Sequence, residues 1–248
     1  MAGLALYGDV GRAVASGDEI RLRHRLESVK LLPPTGSNPP ELWGAITATA
    51  TSLVEIQQPG KRRVFSMAIT AQDGDEPDDT RPERTVGQPS SWSAAVDALA
   101  AGLAVDVTDD GMVFLDSDEE SAHRLFLLSA GNVQSFERDF LSRSDVEPVE
   151  DPSQAWNGLT IGAHTELVAI DPSETAFNGW TALAPHGELS PYSRTSVLFH
   201  RVWPIKPDVV LEGGNPVPPA PPPPTRRNLP HRSSRSIRTS GLRLCVLS

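Results

Sequence analysis

The residues best suited to chemistry in this sequence are Ser129-Ala-Gly-Asn132, which follow the apolar run Leu125–Leu128. Four consecutive apolar residues before a small-residue turn predict a fully buried strand of the kind found in parallel sheets. Binding sites in open α/β sheets form beyond the carboxyl ends of such strands. The amide of Asn132 can donate to an oxygen that gains charge during acyl transfer, as in an oxyanion hole. The alternative is an ordinary turn, because Gly-Asn is a common turn pair.

Helical and strand patterns alternate along the first 215 residues and would position these side chains. Ser90 and Ser91 can cap one helix, and Gly102 ends it. Residues Asp106 to Glu120 form an acidic insertion before the central strand. The predicted helices are Met1–Gly8, Glu41–Gln57 and Ser90–Gly102, and the predicted strands are Leu26–Leu32, Arg63–Thr70, Leu125–Leu128, Leu159–Ala163 and Pro207–Leu211. This alternation predicts an α/β fold with a parallel sheet and right-handed crossovers.

The composition excludes several classes of protein. The chain has 248 residues and a formal net charge of −10, which argues against nucleic acid or an anionic membrane as the main partner. Cys245 is the only cysteine, so neither an intrachain disulfide nor a Cys-based zinc site is possible. The sequence has no run long enough for a transmembrane helix and no signal-peptide pattern at its start. These features predict a soluble, cytoplasmic protein.

The composition changes abruptly at Pro216. From there to the end the sequence has six Arg, eight Pro and no acidic residue, whereas the preceding part has 16 basic against 32 acidic side chains. A run of prolines favours polyproline II, and Arg- and Ser-rich sequence buries too little apolar surface to order itself. We therefore predict a disordered basic tail over residues 216–248. A proline-motif ligand or an anion-binding arm are the alternatives.

No motif in the sequence predicts a metal or cofactor site. Residues Asp73 to Arg84 are acidic, but they lack the Asp-x-Asp-x-Asp-Gly pattern of a calcium loop and are predicted to be a solvated loop. Neither Gly-x-Gly-x-x-Gly nor Gly-x-x-x-x-Gly-Lys-Ser/Thr occurs, which argues against a nucleotide-binding domain.

Several segments resemble, in the same order, the second half of the subtilisin-like serine peptidases, the subtilase family. Met1-Ala-Gly-Leu4 is similar to the helix that follows the family's catalytic His, and Leu26–Leu32 to its next strand, of the type Ala-Val-Lys-Val-Leu. Val64–Ala68 stands where the family has Ile-Asn-Met-Ser-Leu-Gly. Leu127-Leu-Ser-Ala-Gly-Asn132 matches the strand that ends in the family's oxyanion Asn.

Three later segments continue the resemblance. Trp156–Ala163 is similar to the family's Val-Ile-x-Val-Gly-Ala, Leu189–Ser193 to Phe-Ser-x-x-Gly, and Lys206–Val210 to Lys-Pro-Asp-Val. The resemblance covers roughly Met1 to Asn215. It implies a three-layer, mostly parallel, subtilisin-like sheet flanked by helices and incomplete, with residues 1–215 as a partial peptidase domain.

The resemblance also implies the roles of individual residues. Asn132 would belong to the oxyanion hole. The substrate backbone would lie as an added strand along the edge at Val64–Ala68. The substrate-binding residues would be Ser66, Met67 and Ala68 at that edge, with Ser129, Ala130 and Gly131 beside the primary pocket. The implied partner is a peptide or protein substrate.

The family's catalytic Asp, His and Ser have no convincing counterpart in this sequence. The chain is expected to begin just after the His, and to lose the family pattern after Asn215. Ser240, in Thr239-Ser-Gly241, is the only nucleophile candidate where the family has Gly-Thr-Ser-x-Ala, and no apolar helix follows it. His186-Gly-Glu188 and Val113–Asp118 imitate the His and Asp motifs out of order.

Two functions remain open on the sequence alone. The first is a serine endopeptidase present as a fragment, which holds the oxyanion Asn and is inactive by itself because it lacks an activated nucleophile. The second is a non-catalytic product: a binding or interaction protein on a peptidase-derived sheet, or a gene remnant.

Overall fold

The computed structural model describes residues 2–8, 10–22, 24–71, 85–108, 111–115, 123–133, 139–170, 173, 175–217 and 244–247. Short 3-10 turns occupy Pro40–Leu42 and Thr175–Phe177. The helices are α1 (Ala2–Tyr7), α2 (Val10–Ser16), α3 (Trp43–Gln57), α4 (Ser91–Ala100) and α5 (Phe140–Val146). The strands are β1 (Leu26–Val29), β2 (Val64–Met67), β3 (Ala104–Thr108), β4 (Gly111–Leu115), β5 (Leu125–Ser129), β6 (Leu159–His164), β7 (Val209–Glu212) and β8 (Leu244–Leu247).

Six strands form the main sheet, in the order β1-β8-β2-β5-β6-β7. Strands β2, β5, β6 and β7 pair in parallel, and β8 is antiparallel to both β1 and β2. Helix α4 lies between β2 and β5, and α5 lies between β5 and β6, as parallel pairing requires long crossover connections. The predicted α/β fold, with a mostly parallel sheet flanked by helices, is confirmed.

The core lies between the central strands and helices α3 and α4. Phe65 of β2 stacks on Phe126 of β5 with ring centroids 5.1 Å apart, and the two residues are 1% and 0% exposed. Trp92 of α4 packs against Trp43 of α3 and donates from Nε1 to Thr47 Oγ1 at 2.9 Å. Each large side chain buried in this way contributes about 1.5–3 kcal/mol of transfer free energy, so this core fixes the position of β5.

Helix α4 begins as its sequence predicts. The Oγ of Ser90 accepts a hydrogen bond from the backbone N–H of Ser93 at 3.0 Å, which satisfies one of the free donors of the first turn. Gly102 follows the helix with φ +92°, a conformation that favours glycine. The apolar residues of α4 are then buried against the sheet. The capped helix therefore sets the position of the segment that leads into the central strand.

The structure differs from the sequence predictions in three places. The acidic insertion contains a two-stranded antiparallel sheet, β3 with β4, because Ala104–Thr108 and Gly111–Leu115 have enough apolar and β-branched residues to pair. Helices α2 and α5 were not predicted from the sequence. Within the tail, Leu244–Leu247 forms strand β8, which pairs with β1 on one side and with β2 on the other. The rest of the tail, residues 218–243, lies outside the described residues, and its disorder stays a prediction.

No helix within the described ranges is both long enough and apolar enough to span a bilayer.

Candidate functional site

A cleft of about 260 Å³ opens at the carboxyl ends of β5 and β6. Four parts of the chain form it: the end of β5, strand β6, the loop at Tyr192 and Ser193, and Gly213 after β7. It is lined by Ser129, Gly131, Asn132, Ile161, Gly162, Ala163, Tyr192, Ser193 and Gly213. This position agrees with the rule that sites in open α/β sheets lie beyond the strand carboxyl ends.

Asn132 is exposed at the cleft, between the buried residues Gly131 and Val133. Gly131 has φ +94°, and a Cβ built on it would lie 2.5 Å from Oε2 of Glu150. Only glycine suits both the backbone conformation and the space there. Asn132 also forms a bridge with Ser193, so its backbone is paired on the side of the returning loop. The backbone turn at Gly131 therefore presents Asn132 at the cleft.

Arg194 is buried beneath the turn at Gly131 and Asn132, with 3% of its surface exposed, and stabilises it. Its Nε donates to the carbonyl oxygen of Asn132 at 2.9 Å, and its Nη1 donates to that of Pro148 at 3.1 Å. Its Nη2 lies 3.2 Å from a carboxylate oxygen of Glu147 and 3.0 Å from one of Glu150. One buried guanidinium thus links the backbone of Asn132 to the carboxylates of Glu147 and Glu150. The planar donors of Arg suit such an arrangement.

Glu150 and Asp151 form a second layer beneath the turn. The carboxylate of Glu150 accepts a hydrogen bond from Thr70 Oγ1, and the Glu150 backbone N–H donates to the Ala130 carbonyl at 3.1 Å. The Asp151 carboxylate accepts from Ser90 and Ser93 at the start of α4. These bonds connect the end of β5 to the segment after β2 and to the capped helix, so the site is built on rigid elements.

A buried lysine supports the other side of the cleft. Lys206 is 3% exposed, and its Nζ donates to the Gly158 carbonyl at 2.8 Å and to Asp208 Oδ2 at 2.7 Å. Asp208 Oδ2 also accepts from the backbone N–H of Thr160 at 2.7 Å. This arrangement fixes the start of β6 against the segment that leads into β7.

Glu212, at the end of β7, is held by backbone donors. The pKa of Glu212 is lowered, chiefly because the N–H of Glu166 donates to its carboxylate at 2.6 Å. The N–H of Gly214 adds a second bond at 2.8 Å, and Thr165 and His164 act in the same direction. Charge-stabilising hydrogen bonds of this kind favour the ionised carboxylate. Glu212 therefore anchors the strand end next to Gly213 of the cleft.

The structure brings together only part of the predicted site. Ser129, Gly131 and Asn132 line the cleft, and Ala130 is buried between them. The other wall is β6 with the loop at Tyr192 and Ser193, and the expected border at Ser66, Met67 and Ala68 is absent from the lining.

The predicted open edge at Val64–Ala68 is wrong for β2 itself. Ser66 and Met67 lie inside β2, which pairs with β5 on one side and with β8 on the other, so no edge is open to an added strand there. Met67 is buried in the core, and Ala68 follows the strand and is half-buried. Ser240 lies outside the described residues.

Arg194, Glu150 and Lys206 are site-supporting residues that the sequence did not single out. Apart from Asp208, which is two positions from Lys206, the partners of these side chains are 44 to 80 positions away, so no local pattern reveals them. The cleft residues Tyr192 and Ser193 belong to Leu189–Ser193, a segment whose resemblance to the family carried no predicted role in the site.

A model of the subtilase family of peptidases matches residues 1–244. The chain belongs to the subtilase family. The match runs past Asn215, where the sequence was expected to lose the family pattern. Searches among curated proteins and among solved structures give no match.

Catalysis in a subtilase needs a nucleophile with a base beside it. The residues that line the cleft include no His, Asp or Glu in the described part of the chain. Two serine hydroxyls are present, but Ser193 Oγ accepts from the Ala163 N–H at 3.0 Å and Ser129 Oγ accepts from the Gly131 N–H at 3.3 Å. Both serine hydroxyls therefore form hydrogen bonds with the local backbone. His186 lies in an exposed turn, and Asp118 is outside the described residues.

No group of three or more His, Cys, Asp or Glu side chains that could hold a metal ion occurs among the described residues.

Proposed function

We propose that this subtilase chain carries the oxyanion side of a serine endopeptidase site, with Asn132 as the donor to the tetrahedral oxygen. The observation that carries the proposal is the position of Asn132: it is exposed in a cleft beyond the carboxyl end of the central parallel strand β5. Donors fixed where charge develops are the main catalytic device of such sites, and rigid support lowers the cost of reorganisation. The Arg194 and Glu150 contacts supply that support.

We further propose that this chain by itself does not hydrolyse peptides. Among the described residues, the cleft lining offers amide and hydroxyl groups but no His, Asp or Glu that could take a proton from a serine. Ser240 lacks the flanking glycine and the apolar helix of the family motif. Peptide-bond hydrolysis would then need the missing groups from another polypeptide or from residues outside the described ranges.

A second candidate function is a peptidase-derived protein that binds peptides without cleaving them. The absence of His, Asp and Glu from the described cleft lining favours it, because a cleft with amide and backbone donors still recognises a carbonyl oxygen. Both candidates predict that a peptide contacts Asn132. They differ in whether cleavage is restored when another polypeptide supplies the missing catalytic groups.

Fluorophosphonate labelling of the purified full chain tests the inactivity. We expect no labelling, since a serine hydroxyl without a base is too weak a nucleophile at neutral pH. Stoichiometric labelling that Ser240→Ala abolishes would overturn this part of the proposal.

Peptide titration followed by NMR tests the cleft. Addition of a mixed peptide library should shift the side-chain amide resonances of Asn132 and leave those of Asn157 unchanged. Asn157 is the internal control because it is also exposed but is bound to Asp97 at the other end of the sheet. Equal shifts at both residues, or none at Asn132, would contradict the assignment of the cleft.

A further inference from the structure

The segment from Leu103 to Arg124, which contains the acidic insertion, leaves the body of the protein and returns to the same place. The N–H of Leu103 donates to the carbonyl oxygen of Ala98 at 2.9 Å, and the N–H of Arg124 donates to that of Ala100 at 3.1 Å. The side chain of Arg124 donates to the carboxylate of Glu55 on α3 at 2.8 and 3.0 Å. Both ends of the segment are thus anchored within one turn of α4. Strands β3 and β4 therefore form an excursion from the short path between α4 and β5.

Strand β4 is the outer strand of this excursion. Strand β3 contacts α3 and α4 and pairs with β4, and no second strand pairs with β4 within the described residues. Val113, Phe114 and Leu115 are 42%, 43% and 46% exposed, although successive side chains of a strand point to opposite faces. Neither face of β4 is fully covered, and its outer edge presents backbone N–H and C=O groups to which another strand can pair.

The composition of β4 does not protect this edge. Exposed edges are usually protected by charged side chains, prolines or a covering element, but β4 has the sequence Gly-Met-Val-Phe-Leu, without a charge or a proline. A two-stranded sheet is also only marginally stable by itself in water, and a third strand stabilises it. An exposed apolar strand on an excursion outside the core therefore indicates a surface for another molecule.

The charges around β4 select the kind of partner. The sequence directly before and after the strand, residues 109–110 and 116–120, has six acidic residues and no Lys or Arg. Asp106 of β3, opposite Val113 in the register, is exposed as well. A second copy of this chain is disfavoured, because an antiparallel pair of β4 strands centred on Val113 would set Asp110 of each copy opposite Asp116 of the other. Basic residues in those places would be attracted instead.

We propose that the outer edge of β4 is a docking site for an extended segment of a partner protein with an apolar centre and a Lys or Arg at each end. The segment adds a third strand to β3 and β4. Main-chain hydrogen bonds supply the affinity, and the basic ends, six positions apart like Asp110 and Asp116, supply the selectivity. The docking site is at the amino end of β5, whereas the cleft is at its carboxyl end, so the proposal does not depend on the oxyanion assignment.

Peptide binding to the full chain tests the edge and its charge preference. The probe is a fluorescent peptide, Lys-Thr-Val-Ile-Val-Thr-Lys, and fluorescence anisotropy measures its affinity. We expect saturable binding that weakens as the salt concentration rises, because the charges involved are exposed. The same peptide with Glu at both ends, and one with Pro in place of Ile, should each bind at least about tenfold more weakly. Equal affinity for all three peptides, or no binding of the first, would overturn the proposal.

Variants of the chain locate the binding. Phe114→Lys should weaken binding of the lysine peptide at least about tenfold, since it replaces an apolar contact with a like charge. Val14→Lys, at a residue of α2 that is 79% exposed, is the matched control and should change the affinity less than about twofold. A chain with Gly-Ser-Gly in place of residues 104–122 should stay folded by circular dichroism and lose the binding. Retained binding in this deletion variant would refute the site.

Two further outcomes would assign the edge to another occupant. Analytical ultracentrifugation should give the same association state for the full chain and the deletion variant. A dimer that disappears with the deletion would make a second copy the occupant, against the proposal. Replacement of the six arginines beyond Pro216 by serine should leave the affinity for the lysine peptide unchanged. Tighter binding after that replacement would show that the chain's own tail occupies the edge.

Discussion

The carbonyl oxygen of Asn132 accepts a hydrogen bond from Nε of Arg194 at 2.9 Å, although the two residues are 62 positions apart in the chain. The same guanidinium contacts the carboxylates of Glu147 and Glu150. A side chain that presents a hydrogen-bond donor to a substrate must have a fixed backbone, because catalytic geometry tolerates displacements of only about 0.5 Å. Arg194 supplies that fixation, and its effect can be measured without any peptidase activity.

Replacement of Arg194 by methionine should destabilise the protein by about 3 kcal/mol or more, because it leaves the carboxylate of Glu150 buried without its cation. Chemical denaturation in urea measures this loss. Arg143→Met is the matched control: its pair with Glu147 spans 4.0 Å and is partly exposed, so its loss should cost less than about 1 kcal/mol.

Adding Glu150→Gln to Arg194→Met should recover part of the lost stability, because the buried charge is then removed as well. Additive losses in this double variant would show that the two side chains do not act as a pair.

Gly131→Ala should lower the free energy of unfolding by about 2 kcal/mol or more, because the new Cβ has both an unfavourable φ and a contact with Glu150. Gly187→Ala separates the two causes: Gly187 has φ +83°, but a Cβ there meets no atom within 4 Å. We expect the control to lose about 1 kcal/mol from backbone strain alone. Equal losses for the two variants in urea denaturation would mean that the contact with Glu150 has no energetic effect.

The lowered pKa of Glu212 predicts a pH dependence of stability. A carboxylate with a depressed pKa in the folded state adds stability above its unfolded pKa, and this contribution disappears as the pH falls through the folded pKa. Glu212→Gln should therefore be less stable than wild type near neutral pH, and the two should converge in acid, below the usual range of glutamate.

Thermal denaturation across pH measures this difference. Glu166→Gln is the control, since Glu166 contributes only its backbone N–H to the interaction. A Glu212→Gln variant whose deficit stays constant down to the acid limit would contradict the role assigned to Glu212.

The parts of the structure that local sequence determines were predicted well. Ser90 and Gly102 define the ends of α4 through short-range backbone chemistry, and the run Leu125–Leu128 is apolar enough to be recognised as a buried strand. Asn132 was correctly located beyond the end of this strand, because it follows the apolar run closely. The wall opposite Asn132 was not, because Ser193 reaches it through a loop whose path depends on contacts with distant residues.

Strand β8 shows the limit of composition as a guide. Residues 216–248 were classed together from their prolines and arginines, and the four residues at Leu244 are too few to alter that average. Their pairing depends on a space between β1 and β2 that only the folded sheet creates. A sequence pattern cannot show such a space, since the residues that border it are about 180 to 220 positions away.

The place of β8 also sets an order of events during synthesis. Strands β1 and β2 leave the ribosome before β8, which pairs with both of them and is made roughly 180 residues later. At usual elongation rates this takes on the order of ten to thirty seconds. Strand β1 spends that interval without β8, its hydrogen-bonded neighbour in the sheet. Chaperones that bind extended apolar segments would have access to β1 during translation, and pairing with β8 would end that access.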